Sequence, residues 1–90
     1  MKSIYKYPLE IADSQQIDMP KGAQLLSIQI QRGNPCLWAL IEIDAERMKR
    51  TIQMRGTGHV ADGVGTFIAT FQMEGGALIF HTFDGGESHA

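Results

Sequence analysis

Two pairs of extended segments, each joined by a turn-forming sequence, dominate this chain from Gln24 onward. In the first pair, polar and apolar residues alternate through Gln24–Gln31, whereas Cys36–Ile43 is apolar at nearly every position. Alternation is typical of a strand with one buried face, and a short continuous apolar run is typical of a strand covered on both faces. The connecting Arg32–Pro35 contains Gly, Asn and Pro, which favour chain reversal. These features predict a β-hairpin.

The expected register of this hairpin places Trp38 on its polar face. A loop of two residues and a loop of four residues give the same pairing. The predicted cross-strand pairs are Ile30 with Leu37, Ile28 with Ala39, Leu26 with Ile41, and Gln29 with Trp38. Trp38 therefore shares a surface with Gln29 and Gln31. An aromatic side chain there can stack on a base, anchor a partner subunit, or be covered by another part of the chain.

A second hairpin is predicted around Gly75 and Gly76, because Gly-Gly between two β-rich runs is a strong turn signal. Its strands are Thr66–Met73 and Leu78–Phe83. The predicted pairs are Met73 with Leu78 and Phe71 with Phe80 on one face, and Gln72 with Ile79, Thr70 with His81 and Ile68 with Phe83 on the other. This pairing places His81 beside Thr70 on a partly covered sheet face.

Two shorter strands are predicted in Ser3–Ile11 and Thr51–Arg55, with Asp44–Arg50 as a solvated connection containing at most one helical turn. No amphipathic segment is long enough to serve as a crossover helix. The predicted fold is therefore all-β, or β-rich with at most one short helix, and forms an antiparallel β-sandwich or flattened barrel of about six short strands. We assign residues 1–84 to a single β-rich domain and residues 85–90 to a flexible C-terminal tail.

Charge and cysteine content argue against several classes of protein. Eight Lys and Arg against ten Asp and Glu give a formal charge of −2 without a basic stripe, so nucleic acid is not an expected partner. The single Cys36 cannot form an intramolecular disulfide and is expected to be a buried small hydrophobe, which fits a reducing compartment. Neither a signal peptide nor a membrane span is predicted, so we expect a cytoplasmic protein with no membrane partner.

The segment Gly56-Thr57-Gly58-His59, which follows a predicted strand, is the first candidate binding site. Its glycines allow backbone N–H groups to approach a ligand, while Thr57, His59 and the adjacent Arg55 supply hydrogen-bond donors. The lysine and helix start of a phosphate-binding P-loop are absent, so a plain tight turn is the alternative. We take the following as candidate ligand-binding residues: Arg55, Gly56, Thr57, Gly58, His59 and Trp38.

No catalytic or metal-binding constellation stands out in the sequence. The three histidines, His59, His81 and His89, lack metal-ligand spacing. The carboxylates fall mainly in turns and connections, and neither His59 nor His81 has an evident partner acid or nucleophile for general-base chemistry. We therefore expect no enzyme activity, no metal and no cofactor.

Several ordered segments resemble a family of small, uncharacterised phage and prophage proteins that is classed only as a domain of unknown function. The segments that carry the resemblance are Ile4–Leu9, Pro20–Ala23, Pro35–Leu40, Gly56–His59 and Phe71–His81. The resemblance extends over nearly the whole chain. It implies a phage origin and a host-cytoplasm setting, and it implies no particular reaction.

We accordingly expect a non-enzymatic binding protein that acts in the host cytoplasm, countering a host defence by holding a nucleotide-like signal or a host protein. The alternative is a structural or assembly protein whose role is self-association. Both faces of the predicted strands are apolar, since Leu37, Ala39 and Ile41 alternate with Trp38 and Leu40. An apolar face needs cover from the same chain or from another subunit, so a homo-oligomer, most simply a dimer, is expected.

Overall fold

The computed structural model describes residues 1–89 and consists almost entirely of β-structure. The seven strands are β1 (Lys2–Pro8), β2 (Ser14–Pro20), β3 (Gln24–Gln31), β4 (Asn34–Glu42), β5 (Arg47–Gly56), β6 (Thr66–Met73) and β7 (Leu78–Ser88). Among the described residues, the only helical element is a short 3-10 helix, Glu74–Gly76. The predicted all-β fold is confirmed, with seven strands instead of about six.

The strands form two antiparallel sheets, one of three strands in the order β1-β4-β3 and one of four in the order β2-β5-β7-β6. The sheets pack as a sandwich, and β3 lies against β6 along one side. Between them, the fully buried side chains of the core include Met19, Leu37, Ile41, Ile52 and Met54. The surface of each sheet that points away from the other sheet is called its outer face below.

The first hairpin forms, but its predicted register is wrong by two residues. The loop is Arg32-Gly33, so Ile28 faces Leu37. Pro35 explains this choice, because the pair that flanks a two-residue loop exchanges backbone hydrogen bonds and proline has no N–H to donate. Both loop residues have positive φ, 51° at Arg32 and 82° at Gly33, as a type I′ turn requires.

Trp38 lies on the side of β4 that the sequence predicts, although its register differs. A shift of two residues keeps every side chain on its own side of a strand, so Trp38 faces Ser27 instead of Gln29 and remains on the outer face. Further from the loop, a β-bulge displaces Leu26, which the prediction placed opposite Ile41. The Leu26 side chain is 44% exposed instead of buried. The surface of Trp38 is therefore as predicted, and its cross-strand neighbour is not.

The second hairpin confirms the predicted pairs nearest its turn. These pairs are Met73 with Leu78, Gln72 with Ile79, Phe71 with Phe80, and Thr70 with His81. Beyond them, a β-bulge at Ile68 puts Phe67 opposite Phe83, so the predicted pair of Ile68 with Phe83 is wrong. A bulge adds one unpaired residue that alternation alone does not reveal. The rings of Phe67 and Phe83 meet edge to face with centroids 5.9 Å apart.

Three strand segments lie outside the strands predicted from the sequence. The first is β2, in which Ile17 and Met19 are the only apolar residues before Pro20. β5 begins at Arg47, inside the segment predicted as a solvated connection. β7 continues to Ser88, so residues 86–88 of the predicted tail pair with β5, while residue 90 lies outside the described residues. In each case a distant strand supplies the pairing.

The connection between β5 and β6, residues 57–65, crosses β7. Both strands pair antiparallel with β7, so they run parallel to each other on its two sides. Parallel strands of one sheet require a crossover, and here it contains no helix. Its first residue, Thr57, hydrogen-bonds to His81, which neighbours the buried Thr82 and points away from the core. The crossover therefore begins on the outer face of the four-stranded sheet.

Candidate functional site

The structure separates the two parts of the predicted ligand site. Trp38 lies in the middle of β4, on the outer face of the three-stranded sheet. Arg55 and Gly56 end β5 in the four-stranded sheet, and Thr57, Gly58 and His59 follow directly. Because the core of the sandwich lies between these sheets, the two parts are distinct surfaces and are described separately.

Arg55 fastens the chain around the end of β5. Its Nε donates to the carbonyl oxygen of Val60 at 3.0 Å, and its Nη1 donates to the carbonyl oxygens of Asp13 and Met54 at 2.7 and 2.8 Å. These bonds join the crossover and the segment before β2 to β5. The sequence predicts that Arg55 donates hydrogen bonds to an anionic ligand. The structure makes this role less favourable, because Nε and Nη1 already donate to backbone oxygens.

Gly56 and His59 close a tight turn, in which the backbone N–H of His59 donates to the carbonyl oxygen of Gly56 at 3.1 Å. The imidazole packs against Gly56, where an added Cβ would lie 3.1 Å from Cε1 of His59. The turn borders a mainly apolar groove of about 310 Å³, lined by Gly56, Thr57, His59, Ala77, Leu78, Ile79 and Phe80. The glycine therefore allows close packing of the ring, and the groove offers an anion few charged groups.

His81 contacts two threonine hydroxyls on the outer face of the four-stranded sheet. Its Nε2 lies 2.8 Å from Oγ1 of Thr57, and its Nδ1 lies 2.9 Å from Oγ1 of Thr70. A hydroxyl can donate or accept, so both bonds are compatible with a neutral or a protonated imidazole. The contact with Thr70 is predicted from the hairpin, whereas the contact with Thr57 depends on the path of the crossover. The arrangement ties the crossover to β6 and β7.

Trp38 lies at the edge of a shallow cleft on the outer face of the three-stranded sheet. The cleft measures about 350 Å³ and is lined by Ser27, Gln29, Ile30, Gln31 and Trp38. Trp38 is half-buried, with Ser27 of β3 on one side and Lys6 of β1 on the other. An aromatic ring bordered by amides, a hydroxyl and an ammonium group can stack on a planar ligand and hydrogen-bond to its edge.

Lys6 lies beside Trp38 and is not among the site residues predicted from the sequence. Its Nζ donates to Oε1 of Gln31 at 2.7 Å, so it bridges β1 and β3 across β4. By register, the bridge passes β4 at the level of Cys36, whose thiol is buried as predicted. The only signal for Lys6 is its outward position in a predicted strand. Its proximity to Trp38 follows from the pairing of β1 with β4, which are far apart in sequence.

Arg50, which is buried, forms an ionic network with partly buried carboxylates at the opposite end of the sandwich. Its Nε and Nη2 donate to the two carboxylate oxygens of Asp84 at 2.9 and 2.8 Å, and its Nη1 donates to the carbonyl oxygen of Ala23 at 3.0 Å. The hydrogen bond from Arg50 lowers the pKa of Asp84. The Glu87 carboxylate lies 3.6 Å from Arg50 and accepts the backbone N–H of Gly22 at 2.6 Å. These contacts hold β5, β7 and the β2–β3 turn together.

Within residues 1–89, no three His, Cys, Asp or Glu side chains are grouped so that they could hold a metal ion. Over the same part of the chain, no helix combines the length and apolar character needed to cross a bilayer. Predicted ligand-binding residues border the Trp38 cleft and the groove beside His59.

Comparison with known proteins identifies a family. The family model described as "Domain of unknown function (DUF7352)" matches residues 1–90. No curated protein matches the chain, and no solved structure matches it. The description of this family names no activity.

Proposed function

We propose that this chain, which belongs to the family described as Domain of unknown function (DUF7352), is a non-catalytic protein that binds a nucleotide-like ligand in the Trp38 cleft. One observation carries the proposal: the half-buried Trp38 borders an open cleft together with amide and hydroxyl side chains, and a lysine stands beside it. Stacking of a base on an aromatic side chain contributes about 1–3 kcal/mol. Lys6 supplies a positive charge for a phosphate group.

The Trp38 cleft fits such a ligand better than the groove beside His59. Near the groove, the Nε and Nη1 of Arg55 donate to backbone carbonyls, and most side chains that line the groove are apolar. In the cleft, Gln29 and Ser27 line the wall beside an aromatic ring. Ligand sites combine an apolar surface with a few well-placed polar groups, and the Trp38 cleft supplies both.

Intrinsic fluorescence tests the proposal directly, because Trp38 is the only tryptophan in the chain. We expect mononucleotides or cyclic nucleotides to quench its emission in a saturable manner as the base stacks on the indole. Calorimetry then compares Trp38→Ala, which should lose binding, with Phe67→Ala. Phe67 is an exposed aromatic residue on the outer face of the other sheet, so its replacement should leave affinity unchanged.

Two outcomes would overturn this assignment. Fluorescence that stays constant across the nucleotide panel to millimolar concentration would discard the ligand class. Binding that survives Trp38→Ala but is lost in His59→Ala and Arg55→Ala would move the site to the groove beside His59, where the sequence first placed it.

We propose further that the protein binds its ligand in the cytoplasm of an infected bacterium. The resemblance of Ile4–Leu9, Gly56–His59 and Phe71–His81 to phage proteins supports a role in the cytoplasm of an infected bacterium. A protein that binds a nucleotide without converting it would act stoichiometrically, by sequestering a signal used in host defence. Expression in a bacterium that signals with nucleotides should lower the free signal, and Trp38→Ala should restore it.

Self-association is the second candidate function, and exposed apolar side chains on both outer faces favour it. Phe67 is 58% exposed on the four-stranded sheet, and Ile4 is 59% exposed on the three-stranded sheet. Small monomers seldom leave large apolar patches in water. Light scattering should give a mass of twice 10.0 kDa, and Phe67→Ser or Ile4→Ser should return it to that of a monomer. A wild-type monomer at micromolar concentration would discard self-association.

A further inference from the structure

We infer that two copies of this chain associate through β2, each adding its β2 edge to the four-stranded sheet of the other in an antiparallel pair. A free strand edge offers unpaired backbone N–H and C=O groups that can bind another strand. β2 is such an edge, because it ends the four-stranded sheet. This surface is an alternative to the outer faces for self-association, and it is independent of the nucleotide site.

The other three sheet edges carry features that oppose pairing with a further strand. β3 and β6 lie against each other, and each contains a β-bulge, at Leu26 and at Ile68. β1 carries Lys2 and Lys6 and ends at Pro8. Bulges, lysines and prolines are common means of protecting an edge strand. β2 contains no lysine and no bulge in its pairing with β5, and its only proline is its last residue.

The backbone bonds at the two ends of β2 show which of its groups are free. The N–H of Met54 donates to the carbonyl oxygen of Asp13, and the N–H of Lys21 donates to the carbonyl oxygen of Glu46. Bonded and non-bonded residues alternate in an antiparallel ladder, so β2 bonds to β5 through its odd-numbered residues. Its even-numbered residues direct their backbone groups to the free edge. These are Ser14, Gln16, Asp18 and Pro20, and only the proline lacks an N–H.

A two-fold pairing of β2 that uses the three free N–H groups is self-complementary. It places Gln16 opposite Gln16 of the second copy, and Ser14 opposite Asp18 in both directions. The three side chains share the outer face, since Ile17 and Met19 alternate with them and pack in or against the core. A serine hydroxyl can donate to a carboxylate, and two glutamine amides can donate to and accept from each other. Each cross-strand pair on this face is therefore favourable.

The corresponding pairing of β1 is unfavourable. The N–H of Ile43 donates to the carbonyl oxygen of Met1, so β1 bonds to β4 through its odd-numbered residues. Its free N–H groups belong to Lys2, Ile4 and Lys6. A two-fold pairing that uses all three would place Lys2 opposite Lys6 in both directions, and like charges directly opposite each other destabilise a sheet. Charge therefore favours β2 over β1 as the edge that meets a second copy.

The flank of the sandwich that contains β1 and β2 is also incompletely covered. Tyr5 pairs with the fully buried Ala39, so its side chain lies on the inner face of its sheet, yet it is 43% exposed. Ile11, shortly before β2, is 49% exposed. Apolar surface of this kind is stabilised when it is removed from water. A second sandwich joined at β2 would cover this flank.

Disulfide cross-linking tests the proposed register. At the centre of the two-fold pair, the Cα atoms of residue 16 in the two copies would lie about 5.5 Å apart, a separation that a disulfide spans. We expect Gln16→Cys to form a covalent dimer with oxidised glutathione, seen on a non-reducing gel. The matched control is Gln72→Cys, the same substitution at an exposed position of β6, the other edge of the same sheet. Cross-linking of both variants to the same extent, or of neither, would overturn the inference.

Sedimentation equilibrium measures the strength of the pairing. The wild type should approach twice 10.0 kDa. Gln16→Pro removes the N–H at the centre of the pair and should raise the dimer dissociation constant about tenfold, the effect of losing two backbone hydrogen bonds. Circular dichroism should show a retained fold, because this N–H does not bond to β5.

Two results would overturn the inference in different ways. A dimer that is unchanged in Gln16→Pro but lost in Phe67→Ser or Ile4→Ser would move self-association to the outer faces. A wild type that stays monomeric at micromolar concentration would discard self-association altogether. Both results would leave nucleotide binding in the Trp38 cleft standing.

Discussion

At the scale of single residues, the side chains that determine stability differ from those that face a ligand. Arg50 is only 9% exposed, and its guanidinium is paired with Asp84 in a two-point contact. Removing one partner of a buried ion pair leaves the other charge without compensation, which is more costly than the net value of the pair. Arg50 and Asp84 are therefore the charged residues whose replacement should be felt most strongly.

We expect Asp84→Ala to lower the free energy of unfolding by about 3 kcal/mol, at the lower end of the range for buried pairs because Glu87 remains near Arg50. Urea denaturation at neutral pH measures the change. The control is Asp18→Ala, which removes an exposed carboxylate 2.8 Å from Nζ of Lys49 and should cause no measurable loss. Similar losses in the two variants would contradict the structural role of the Arg50 pair.

Acid should remove the contribution of this pair. The hydrogen bond from Arg50 lowers the pKa of Asp84 below its ordinary value of 3.8. A group whose pKa is lower in the folded state stabilises the protein fully above its unfolded pKa and loses that effect as the pH falls through its folded pKa. As the pH falls below 3.8, the free energy of unfolding should therefore fall more steeply for the wild type than for Asp84→Asn. Parallel curves would contradict this expectation.

Tyr7, unlike Arg50, carries a buried polar group that is not paired within residues 1–89. Its hydroxyl oxygen is buried without a hydrogen-bond partner among the described residues, and a buried polar group without a partner costs about 1–3 kcal/mol. We expect Tyr7→Phe to leave the urea midpoint unchanged or to raise it. A clear fall in the midpoint would show that the hydroxyl makes a stabilising bond in solution.

At the scale of the elements, the crossover from β5 to β6 is held at both ends. Thr57 is bound to His81 at its start. At its end, Gly65 has a φ of 102°, and an added Cβ would lie 2.1 Å from the carbonyl oxygen of Asp84. No side chain fits there without moving the backbone of β7. Gly63, in the same connection, also has positive φ but has open space around it.

This contrast predicts different effects for two alanine substitutions in the crossover. Gly63→Ala should cost about 1 kcal/mol, the usual penalty for a side chain in the left-handed region. Gly65→Ala should cost considerably more, because the clash with β7 is added to the same penalty. Thermal denaturation of the two variants compares them directly. Equal losses would indicate that the end of the crossover is not packed against β7.

At the scale of the whole molecule, the C-terminal part of β7 links distant parts of the chain. Residues 86–88 pair with residues 49–51 of β5, and Glu87 also accepts the backbone N–H of Gly22. We expect hydrogen exchange at the backbone amides of residues 86–88 to be slowed as in the other paired strands, well below the rate of an unstructured tail. Exchange at the rate of a free peptide would support the tail that the sequence predicts.

The two hairpins differ in how well their registers are predicted from local sequence. The pairs around Gly75 and Gly76 are predicted correctly, because a short turn and alternating residues set the register locally. The predicted register of the first hairpin is wrong by two residues. The sequence already held the information needed to correct it, because Pro35 has no N–H to donate beside a two-residue loop. Trp38 still lies on the predicted face, because a register shift of two residues leaves each side chain on the same side of its strand. The bulges at Leu26 and Ile68 have no local signal.

The amino-acid sequence by itself determined the β-class, the second turn and the faces of Trp38 and His81, since alternation and turn chemistry act between neighbours along the chain. Tertiary structure alone decided that Lys6 reaches Gln31, that Arg50 meets Asp84 and that Thr57 reaches His81. Each of these contacts joins residues more than twenty positions apart. Such pairs are selected by how whole strands pack into two sheets, and packing of this kind leaves no pattern within either segment.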